Sequence, residues 1–529
     1  MNMKRFCMVV ALCWLLPTVV GQPSSVGSGD IVILYENDVH GAIEGYPLMS
    51  AVRDQMRAIT PYVAVVSCGD YLSGTPLGSV SRGRYLVRMM NAVGYDFVTL
   101  GNHEFDFGVD TLRQRMKELT AAVLCANFSH IADGQSIYAC SAMQQFGSVR
   151  VGYVGVTTPQ AATTSTPLFF QDTAGRWIYT FYPHMLDSVV QQCVDEVRRQ
   201  GADYVVLLSH LGDNDLPPLV AATTGIDVVL DGHSHSVIPH RQLANRLGGK
   251  VLWTSTGSNF KNIGRLVIKP HGEVSSELLP TAAMPSYIND VSDTLRAIQQ
   301  AFDSVANRRV GYSQAKMWRK EYTGNYYDAP LGNFFCDAFL ALTRHEGTEL
   351  ALMNSGGMRA DIAAGEMLFG DLYAAAPFDN KLCVVEMSGQ VLLDALEMGC
   401  RTFPKTGGGF LQVSGVRYEI DTNQPSGVVC DDNGMFVGVK GARRVKNVAV
   451  YDSFLGRWVP LDPWRIYRVA GCDYTLMHQG DGHRFPGARV VDAAVCPYAE
   501  ALERYLRDFC GGVVEASKYA HSQGRIRVR

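Results

Sequence analysis

Between residue 31 and about residue 270, short apolar runs alternate with helical patterns along the sequence. Runs such as IVILYEND, VAVVSCGD, YVVLLSHLGD and DVVLDGHSH are rich in β-branched residues, and segments such as MLDSVVQQCVDEVRRQ have helical periodicity. This alternation predicts a layered α/β domain, and the near-continuous apolar runs predict strands that are buried on both faces. A chain of 529 residues is long enough for more than one such domain.

A different pattern follows this region. Apolar residues recur at steps of three and four from Ile288 to Val305, which predicts a helix of about five turns over 284–307. Because no strand pattern adjoins it, we expect this helix to link two domains. A second α/β segment follows at 308–525 and contains Gly-rich polar stretches such as MNSGGMRAD and HQGDGHRFPG. The predicted first domain covers 30–275.

The N-terminus predicts export. Lys4 and Arg5 precede an apolar run at 6–16 and a small-residue exit, which together form the three-part pattern of a secretory signal. We expect residues 1–21 to be removed by cleavage after Gly21, which would leave a periplasmic or extracellular protein. The run is too short to span a bilayer and no later segment is long and apolar enough, so stable membrane insertion is not expected.

The composition limits the partners of the chain. The sequence is 47% hydrophobic and 19% charged, as in globular proteins with a substantial core, and its formal net charge is −4. This charge balance gives no basic face for a nucleic acid polymer, so we expect a small-molecule partner. The 13 cysteines are scattered without a CxxC motif, and the sequence predicts neither a disulfide nor an oligomeric state.

Potential metal ligands stand at the carboxyl ends of five predicted strands. These residues are Asp38 and His40, then Asp70, then Asn102 with His103 and Asp106, then His210, and finally His233 with His235. In open α/β sheets, ligands bind outside the carboxyl ends of the strands, so we expect these side chains to meet. Each residue alone is weak evidence, because an Asp after a strand is usually a turn or a helix cap. The complete set is hard to reconcile with chance.

The residue types predict a pair of divalent metal ions that would act on a phosphoester. Two ions about 3.5–4 Å apart can clamp the attacking and leaving oxygens of a phosphoryl displacement. Such a pair needs a bridging carboxylate, several neutral nitrogens and positions that stay open for substrate. Imidazole suits Zn, Fe, Ni or Cu, whereas carboxylate and amide oxygens widen the choice to Mn or Mg. A mixed His, Asp and Asn set without a thiolate favours Mn or Zn.

These motifs resemble those of the calcineurin-type metallophosphoesterases, and specifically the two-domain 5′-nucleotidase/UDP-sugar hydrolase family. ENDVHG, CGDYLSGTP, LGNHEFDFG, LSHLGD and DGHSH match the first domain in order, and LGNFFCDA, NSGGMRADI, PFDNKL, GGGFLQVSGVRYEID and QGDGHRF match the second. The resemblance covers about 30 to 525. It implies an α/β protein with a four-layer β-sandwich flanked by helices, a linker helix and a second α/β substrate-binding domain. It also implies an exported hydrolase that releases phosphate from nucleoside monophosphates.

The resemblance implies a role for each residue of the strand-end set. The implied ligands are Asp38, His40, Asp70 and His235 for one ion, and Asp70, Asn102, His210 and His233 for the other. A hydroxide that bridges the ions would be the nucleophile. His103 would stand over the substrate phosphate and stabilise charge on the phosphoryl and leaving oxygens, while Asp106 would orient and charge that imidazole. Glu104 is expected to cap and pack the following helix and to have no catalytic role.

The second-domain motifs would select the substrate. Glycines lie beside Asn354 and Arg359, where they would let the backbone approach a ligand while the arginine binds phosphate bidentately. Phe378 matches one side of the family's aromatic clamp on the nucleobase, and Tyr474 is the natural other side. Base–aromatic stacking contributes about 1–3 kcal/mol per base and tolerates any base. The predicted substrate-binding residues are Asn102, Asn354, Arg359, Phe378, Tyr474 and Asp481.

Two departures from the family pattern leave the substrate open. Tyr474 lies seven residues before Asp481, which is one more than in the resembled nucleotidases. The segment 325–327 reads Asn-Tyr-Tyr where the family usually carries an arginine, so one cationic phosphate contact is missing. His478 and His483 could partly replace it.

Three functions therefore remain open at this point. The first is a dimetal nucleotidase, with substrate bound between the domains. The second is another dimetal hydrolase on the same scaffold, such as a UDP-sugar pyrophosphohydrolase, a 2′,3′-cyclic-nucleotide phosphodiesterase or a thiosulfate-ester hydrolase. The third is a binding protein with a retired active site, which the intact ligand set together with His103 and Asp106 argues against.

Overall fold

The computed structural model describes residues 26–320 and 327–529. The predicted signal segment at 1–21 lies outside the described residues. Within the two described ranges, no helix combines the length and the apolar character that crossing a membrane requires.

The first part of the chain forms two six-stranded sheets flanked by helices. Its strands are β1 (Ile31–Glu36), β2 (Val63–Ser67), β3 (Phe97–Val98), β4 (Ala122–Val123), β5 (Ser129–His130), β6 (Ser141–Phe146), β7 (Val149–Thr157), β8 (Tyr179–Thr180), β9 (Tyr204–His210), β10 (Val228–Asp231), β11 (Val237–Ala244), β12 (Lys250–Thr256), β13 (Asn262–Ile268) and β14 (Val274–Pro280). Its helices are α1 (Tyr46–Arg57), α2 (Pro76–Ser81), α3 (Arg84–Val93), α4 (Val109–Glu118), α5 (Ala161–Thr164), α6 (Leu186–Arg199), α7 (Gly212–Ala222) and α8 (Asp290–Ala306).

The strand order brings the predicted strand ends together. The first sheet runs β14-β13-β1-β2-β3-β4, and the second runs β11-β12-β10-β9-β7-β6. Strands β1 to β4 are mutually parallel, as are β7, β9, β10 and β12. Because parallel strands place their carboxyl ends at one edge, the loops after β1, β2, β3, β9 and β10 reach the same side of the domain.

The two sheets pack face to face and form the inner layers of a sandwich. Every residue of β1 is buried, and its side chains alternate between two cores. Ile33 and Tyr35 belong to the cluster between the sheets, together with Leu208 of β9. Val32 and Leu34 belong to the cluster on the opposite face, beneath α1, α3 and α8. The second sheet is covered in the same way by α6 and α7, so the expected four-layer architecture is confirmed.

The helix predicted at 284–307 begins later than expected, at Asp290. The Asn289 side chain accepts a hydrogen bond from the Ser292 backbone N–H at 3.0 Å, and the Ser292 hydroxyl accepts one from the Asn289 N–H at 3.2 Å. This capping box fixes the start of the helix. Ile288 precedes the cap and is 89% exposed, so it does not belong to the apolar face, whereas Val291 and Ile298 pack into the first core.

The second part of the chain is also mixed α/β, as predicted. Its strands are β15 (Arg309–Ser313), β16 (Leu350–Asn354), β17 (Gly365–Leu368), β18 (Lys381–Ser388), β19 (Leu411–Ser414), β20 (Val416–Ile420), β21 (Val428–Cys430), β22 (Phe436–Val439), β23 (Val445–Asp452), β24 (Arg457–Pro460), β25 (Ile466–Cys472), β26 (Arg489–Pro497), β27 (Val513–Val514) and β28 (Ile526–Val528). Its helices are α9 (Pro330–Thr343), α10 (Phe369–Ala375), α11 (Gly389–Gly399), α12 (Asp473–Leu476), α13 (Tyr498–Asp508) and α14 (Ala516–Tyr519).

A five-stranded sheet organises this second part. Its order is β19-β16-β25-β18-β26, and a four-stranded sheet β24-β23-β20-β28 lies beside it. The apolar helix α9 buries Phe334, Phe335 and Phe339 in a cluster shared with α13. Helix α11 packs into a separate core through Leu392 and Leu396. Strand β16 ends at Asn354, which places the NSGGMRAD segment at the side of the second part that faces the first.

Candidate metal centre and substrate cavity

Five of the predicted metal ligands adopt left-handed backbone conformations. The φ angle is 52° at Asp38, 47° at His40, 61° at Asp70, 76° at His233 and 57° at His235. Such angles are uncommon for residues with a side chain, and they cluster where the surrounding structure holds a functional geometry. The loops after three strands are therefore shaped by the convergence of these side chains and not by local backbone preference.

The ligand atoms of these loops converge on two carboxylates. His235 Nε2 lies 3.3 Å from Asp38 Oδ1, and His210 Nε2 lies 3.2 Å from Asp70 Oδ2. His40 Nε2 lies 3.7 Å from both Asp38 Oδ1 and Asp70 Oδ2. Three overlapping groups of side chains offer ligand atoms within 4.8 Å of one another: Asp38–His40–His235, Asp38–Asp70–His210 and His40–Asp70–His103. Asp70 belongs to two of these groups, so its carboxylate lies between two neighbouring sets of ligand atoms.

The surroundings of the cluster fit divalent cations. The ring of His210 is fixed by a 2.6 Å hydrogen bond from Nδ1 to the Cys68 carbonyl, which aims Nε2 at the carboxylates. His210 Nε2 and Asp38 Oδ1 are buried close to charged neighbours, yet neither completes a well-aligned hydrogen bond within the described residues. On the other side, His233 Nδ1 lies 3.0 Å from Asn102 Oδ1. Buried nitrogen and oxygen atoms in this arrangement are what a bound cation would satisfy.

The imidazoles of the cluster differ in protonation. Burial, reinforced by the charge of His210, lowers the pKa of His233 to about 4. Burial also holds the pKa of His40 well below its usual value. Burial opposes protonation of His210 as well, but the charges of Asp70 and Asp38 raise its pKa to about 10. Two rings therefore present free lone pairs, while the proton on His210 must leave before that nitrogen can bind a metal.

Glycine is required at two positions that touch the cluster. A Cβ on Gly101 would lie 2.1 Å from Asp70 Oδ1, and a Cβ on Gly232 would lie 2.8 Å from His210 Nδ1. Both distances are far shorter than real carbon contacts. The glycines of the LGN and DGH motifs therefore let the ligand loops pack against one another.

Glu104 organises the loop after β2. Its buried carboxylate accepts hydrogen bonds from the backbone N–H groups of Asp70 at 2.7 Å, Tyr71 at 2.8 Å, Leu72 at 3.0 Å and Gly101 at 2.6 Å. The sequence suggested that this acid caps the following helix. The structure corrects this interpretation, because the carboxylate binds the loop that carries Asp70.

His103 stands beside the cluster with Asp106 behind it. His103 Nδ1 lies 2.9 Å from Asp106 Oδ2, and Asp106 also accepts a hydrogen bond from the Ser73 hydroxyl. The His103 backbone N–H donates to Asp70 Oδ1 at 2.8 Å. Burial lowers the pKa of His103, but the charges of Asp106 and Asp70 outweigh it and raise the pKa above its usual value. The ring is therefore held next to the cluster in a protonatable state.

A cavity of about 450 Å³ joins this cluster to the second part of the chain. Of the predicted residues, those that line it are Asp70, Asn102, His103, Asp106, His233, His235, Asn354, Arg359, Phe378, Tyr474 and Asp481. Asp38, His40 and His210 are buried behind this lining, at the base of the cluster. The structure thus brings residues from 38 to 481 into one region.

The second part places a cation and an aromatic ring directly opposite the cluster. Arg359 Nη2 lies 3.4 Å from His40 Nδ1, and the Arg359 guanidinium carbon lies 5.7 Å from the centre of the Phe378 ring. The Phe378 ring is nearly parallel to His103, with centroids 6.0 Å apart. Behind them, Asn354 Nδ2 donates to Asp481 Oδ2 at 3.2 Å. The first and second parts therefore complete the cavity together.

Tyr474 connects the two parts across the cavity. Its hydroxyl donates to the Thr164 carbonyl at 2.9 Å and accepts from the Asp481 backbone N–H at 3.2 Å. The phenol is thereby fixed at one end while its ring lines the cavity.

Several residues that line the cavity were not predicted from the sequence. Arg82 of the first part and Asp379 of the second form an ion pair at 3.3 Å, and the cavity wall also includes Asn380, Phe107 and Phe169. Phe107, Asp379 and Asn380 lie within the motifs LGNHEFDFG and PFDNKL, but the sequence did not single them out. Arg82 and Phe169 lie outside those motifs, and the pairing of Arg82 with Asp379 joins positions almost 300 apart.

The residues at the place of the missing arginine, and the two histidines suggested to replace it, do not share one location. Asn325 and Tyr326 lie outside the described residues, and Tyr327 packs against Phe403 at 4.9 Å between ring centroids. His478 lines the cavity. His483 does not, because its buried ring hydrogen-bonds the Gly409 carbonyl at 2.9 Å and burial lowers its pKa to about 4. The suggestion that His483 replaces the arginine is therefore wrong.

Two family models match this chain, one in its first part and one in its second. Residues 31–237 match the family model for the calcineurin-like phosphoesterase, and residues 309–488 match that for the 5′-nucleotidase C-terminal domain. The probable 5′-nucleotidase of Treponema pallidum is 26% identical over 96% of this chain and 97% of its own length. The trifunctional nucleotide phosphoesterase protein YfkN of Bacillus subtilis is 24% identical over 77% of this chain, which spans only 30% of that relative.

The solved structures agree with these matches. The 5′-nucleotidase precursor from Thermus thermophilus superposes with a TM-score of 0.79 and 27% sequence identity, over 94% of this chain and 99% of that one. The matched regions contain the candidate cluster and the second-part cavity residues. The chain therefore belongs to the two-domain 5′-nucleotidase family and is a metal-dependent phosphoesterase.

Proposed function

We propose that this protein is an exported nucleotidase that uses two divalent ions, Mn or Zn, to release phosphate from nucleoside 5′-monophosphates. One observation carries the proposal: a single cavity joins the candidate metal ligands of the first part to the cationic and aromatic side chains of the second. A phosphate at the cluster and a nucleoside towards Phe378 would share this space.

The residues of the cluster would hold the ions in two sets. Asp38, His40, Asp70 and His235 would form one set, and Asp70, Asn102, His210 and His233 would form the other. Bound there, the ions would lower the pKa of water and neutralise charge on the phosphoryl group. The set contains no thiolate, and its mixture of imidazole, carboxylate and amide donors supports Mn or Zn.

His103 would act on the substrate and Asp106 would act through His103. The carboxylate 2.9 Å from Nδ1 holds the ring so that the opposite nitrogen is available to the cavity. A proton on that nitrogen would stabilise charge on the leaving oxygen as the bond to phosphorus breaks. Arg359, within reach of the cluster, would bind the nonbridging phosphate oxygens.

Phe378 and Tyr474 would bind the nucleobase by stacking. Both rings line the cavity, and Tyr474 is fixed at its hydroxyl end by Thr164. Stacking of this kind contributes about 1–3 kcal/mol per base without distinguishing purines from pyrimidines. We therefore expect activity on more than one nucleotide.

A second candidate function is hydrolysis of another nucleotide phosphoester, such as a UDP-sugar or a 2′,3′-cyclic nucleotide. The segment 325–327 lacks the arginine that the family usually carries, and one relative is named as a trifunctional nucleotide phosphoesterase. The same metal ligands and His103 would serve these substrates.

We also propose that the chain is exported and that it has two domains joined by a linker. Residues 1–21 would direct export and be removed, and domains at 30–275 and 308–525 would be joined by the segment 284–307, whose helix α8 spans Asp290–Ala306. Packing of Val291 and Ile298 against the first core supports a helix that stays with the first domain.

Phosphate release by the purified mature chain tests the proposal. We would supply Mn²⁺ or Zn²⁺ and compare AMP and UMP with UDP-glucose and 2′,3′-cAMP, with His103→Ala as the control. Turnover of AMP or UMP that collapses in the variant supports a nucleotidase. Turnover of only the diester or the nucleotide sugar selects the second function. If metal is bound but no phosphate is released from any of these compounds, the result would favour a binding protein.

A further inference from the structure

A second cavity lies on the helical surface of the first part, outside the metal cluster. It has a volume of about 410 Å³ and lies between the α2–α3 connection and one face of α4. Its polar wall is formed by Arg82, Arg84, Thr111, Gln114 and Arg115, and within the described residues no carboxylate lines it. We propose that this cavity binds a tetrahedral oxyanion of the phosphate or sulfate class.

The central observation is the state of Arg115. This residue is only 4% exposed, and its Nε is buried without a hydrogen-bond partner within the described residues. One of its terminal nitrogens, Nη1, lies 2.8 Å from Glu118 Oε2. A guanidinium has five N–H donors in a planar fork, so a single neighbouring carboxylate leaves donors unfilled. Arg115 also lines the cavity, so an oxyanion bound there would bring a second counter-charge to this buried guanidinium.

The local fold concentrates positive charge around this side chain. Thr111, Arg115 and Glu118 follow one another at helical spacing on α4, which sets them on a common face. Arg84 is the first residue of α3, and its Nη2 lies 3.8 Å from Glu118 Oε1. Glu118 is thus shared between two arginines, which leaves the cavity with an excess of positive charge.

Arg82 connects this cavity with the catalytic one. It lies in the left-handed region after α2, with φ of 47°, and it lines both cavities. Its present partner is Asp379 of the second part, at 3.3 Å, and both side chains are more than half exposed. A bound oxyanion would compete with Asp379 for this arginine. No predicted metal ligand lines the second cavity within the described residues, so binding there should not require metal.

Titration calorimetry with inorganic phosphate and with sulfate tests the proposal. The mature chain is first stripped of metal with a chelator, and ionic strength is matched with chloride. We expect one binding event for which the two anions compete. Arg84→Gln should weaken it about fivefold, as expected for one half-exposed charge contact. Arg88→Gln is the matched control, because Arg88 is exposed on the same helix and does not line the cavity.

Two further variants test whether the anion binds in this cavity or in the catalytic one. Arg115→Lys retains the charge but loses the planar fork, so it should also weaken binding, with circular dichroism used to confirm folding. Arg359→Ala removes the catalytic phosphate contact and should leave metal-free binding unchanged. Equal affinity in the wild-type chain and Arg84→Gln would overturn the proposal. Binding that appears only with metal and disappears in Arg359→Ala would also overturn it, because the anion would then occupy the catalytic cavity.

Discussion

Replacement of His103 by alanine should reduce catalysis far more than binding. The ring lies beside the metal cluster with its Nδ1 2.9 Å from Asp106 Oδ2, so its free nitrogen serves the cavity. General acid catalysis by a positioned imidazole contributes about 10²–10⁴-fold. We therefore expect kcat for AMP to fall by about this factor in His103→Ala, with little change in KM.

The contribution of Asp106 can be worked from the same geometry. A hydrogen bond to a charged group contributes about 1.5–3 kcal/mol, which corresponds to about 10–160-fold in rate. Asp106→Asn should therefore reduce kcat by about this factor. Since Asp106 acts through the ring, the double variant should be no slower than His103→Ala alone.

Comparison of leaving groups tests whether the imidazole acts as an acid. The nucleoside alkoxide of AMP needs a proton as it leaves, whereas p-nitrophenolate does not. The rate loss in His103→Ala should be at least about tenfold smaller with p-nitrophenyl phosphate than with AMP. Metal content and the thermal midpoint of each variant serve as controls. Equal losses on both substrates, with metal retained, would refute the assigned role.

Three other perturbations test separate parts of the site. Glu104→Gln replaces a carboxylate that accepts four backbone hydrogen bonds, so the free energy of unfolding measured in urea should fall by about 2–4 kcal/mol. A fall of less than about 0.5 kcal/mol would contradict the conclusion that Glu104 stabilises the loop that carries Asp70. Phe378→Ala should raise the KM for AMP by about 5–160-fold and leave the KM for ribose 5-phosphate unchanged, because ribose 5-phosphate has no base to stack. Equal changes in KM for both substrates would exclude a base contact. At pH 7, Zn²⁺ binding should release about one proton from His210, whose pKa of about 10 keeps it protonated, as measured by calorimetry in buffers of different ionisation enthalpy. Absence of proton release would contradict a protonated His210 in the metal-free chain.

The layered fold could be predicted from local patterns. A strand such as β1, which is buried at every position, reads as a continuous apolar run because both of its faces meet a core. The predicted start of α8 is wrong because periodicity extends through Ile288, while the capping box at Asn289 decides where the helix begins. Periodicity reports which face is buried and gives little information about where an element begins.

The candidate site could be assembled from strand ends for a similar reason. Parallel strands deliver their following residues to one edge, so sequence order alone suggested that Asp38, Asp70 and His210 meet. Contacts between distant loops could not be predicted in this way. The Arg82–Asp379 pair and the binding of the Asp70 loop by Glu104 depend on how complete layers dock. The prediction for His483 is wrong because sequence does not reveal which way a loop histidine points.

The number of ions bound per active chain tests whether phosphate release depends on a pair of metal ions held by Asp70. The metal-free mature protein would be titrated with Mn²⁺ or Zn²⁺, and native mass spectrometry would count bound ions while phosphate release from AMP is followed. We expect saturation at two ions, activity that rises with the second ion, and loss of both ions in Asp70→Ala. Full activity with a single bound ion, or two ions retained in Asp70→Ala, would contradict this expectation.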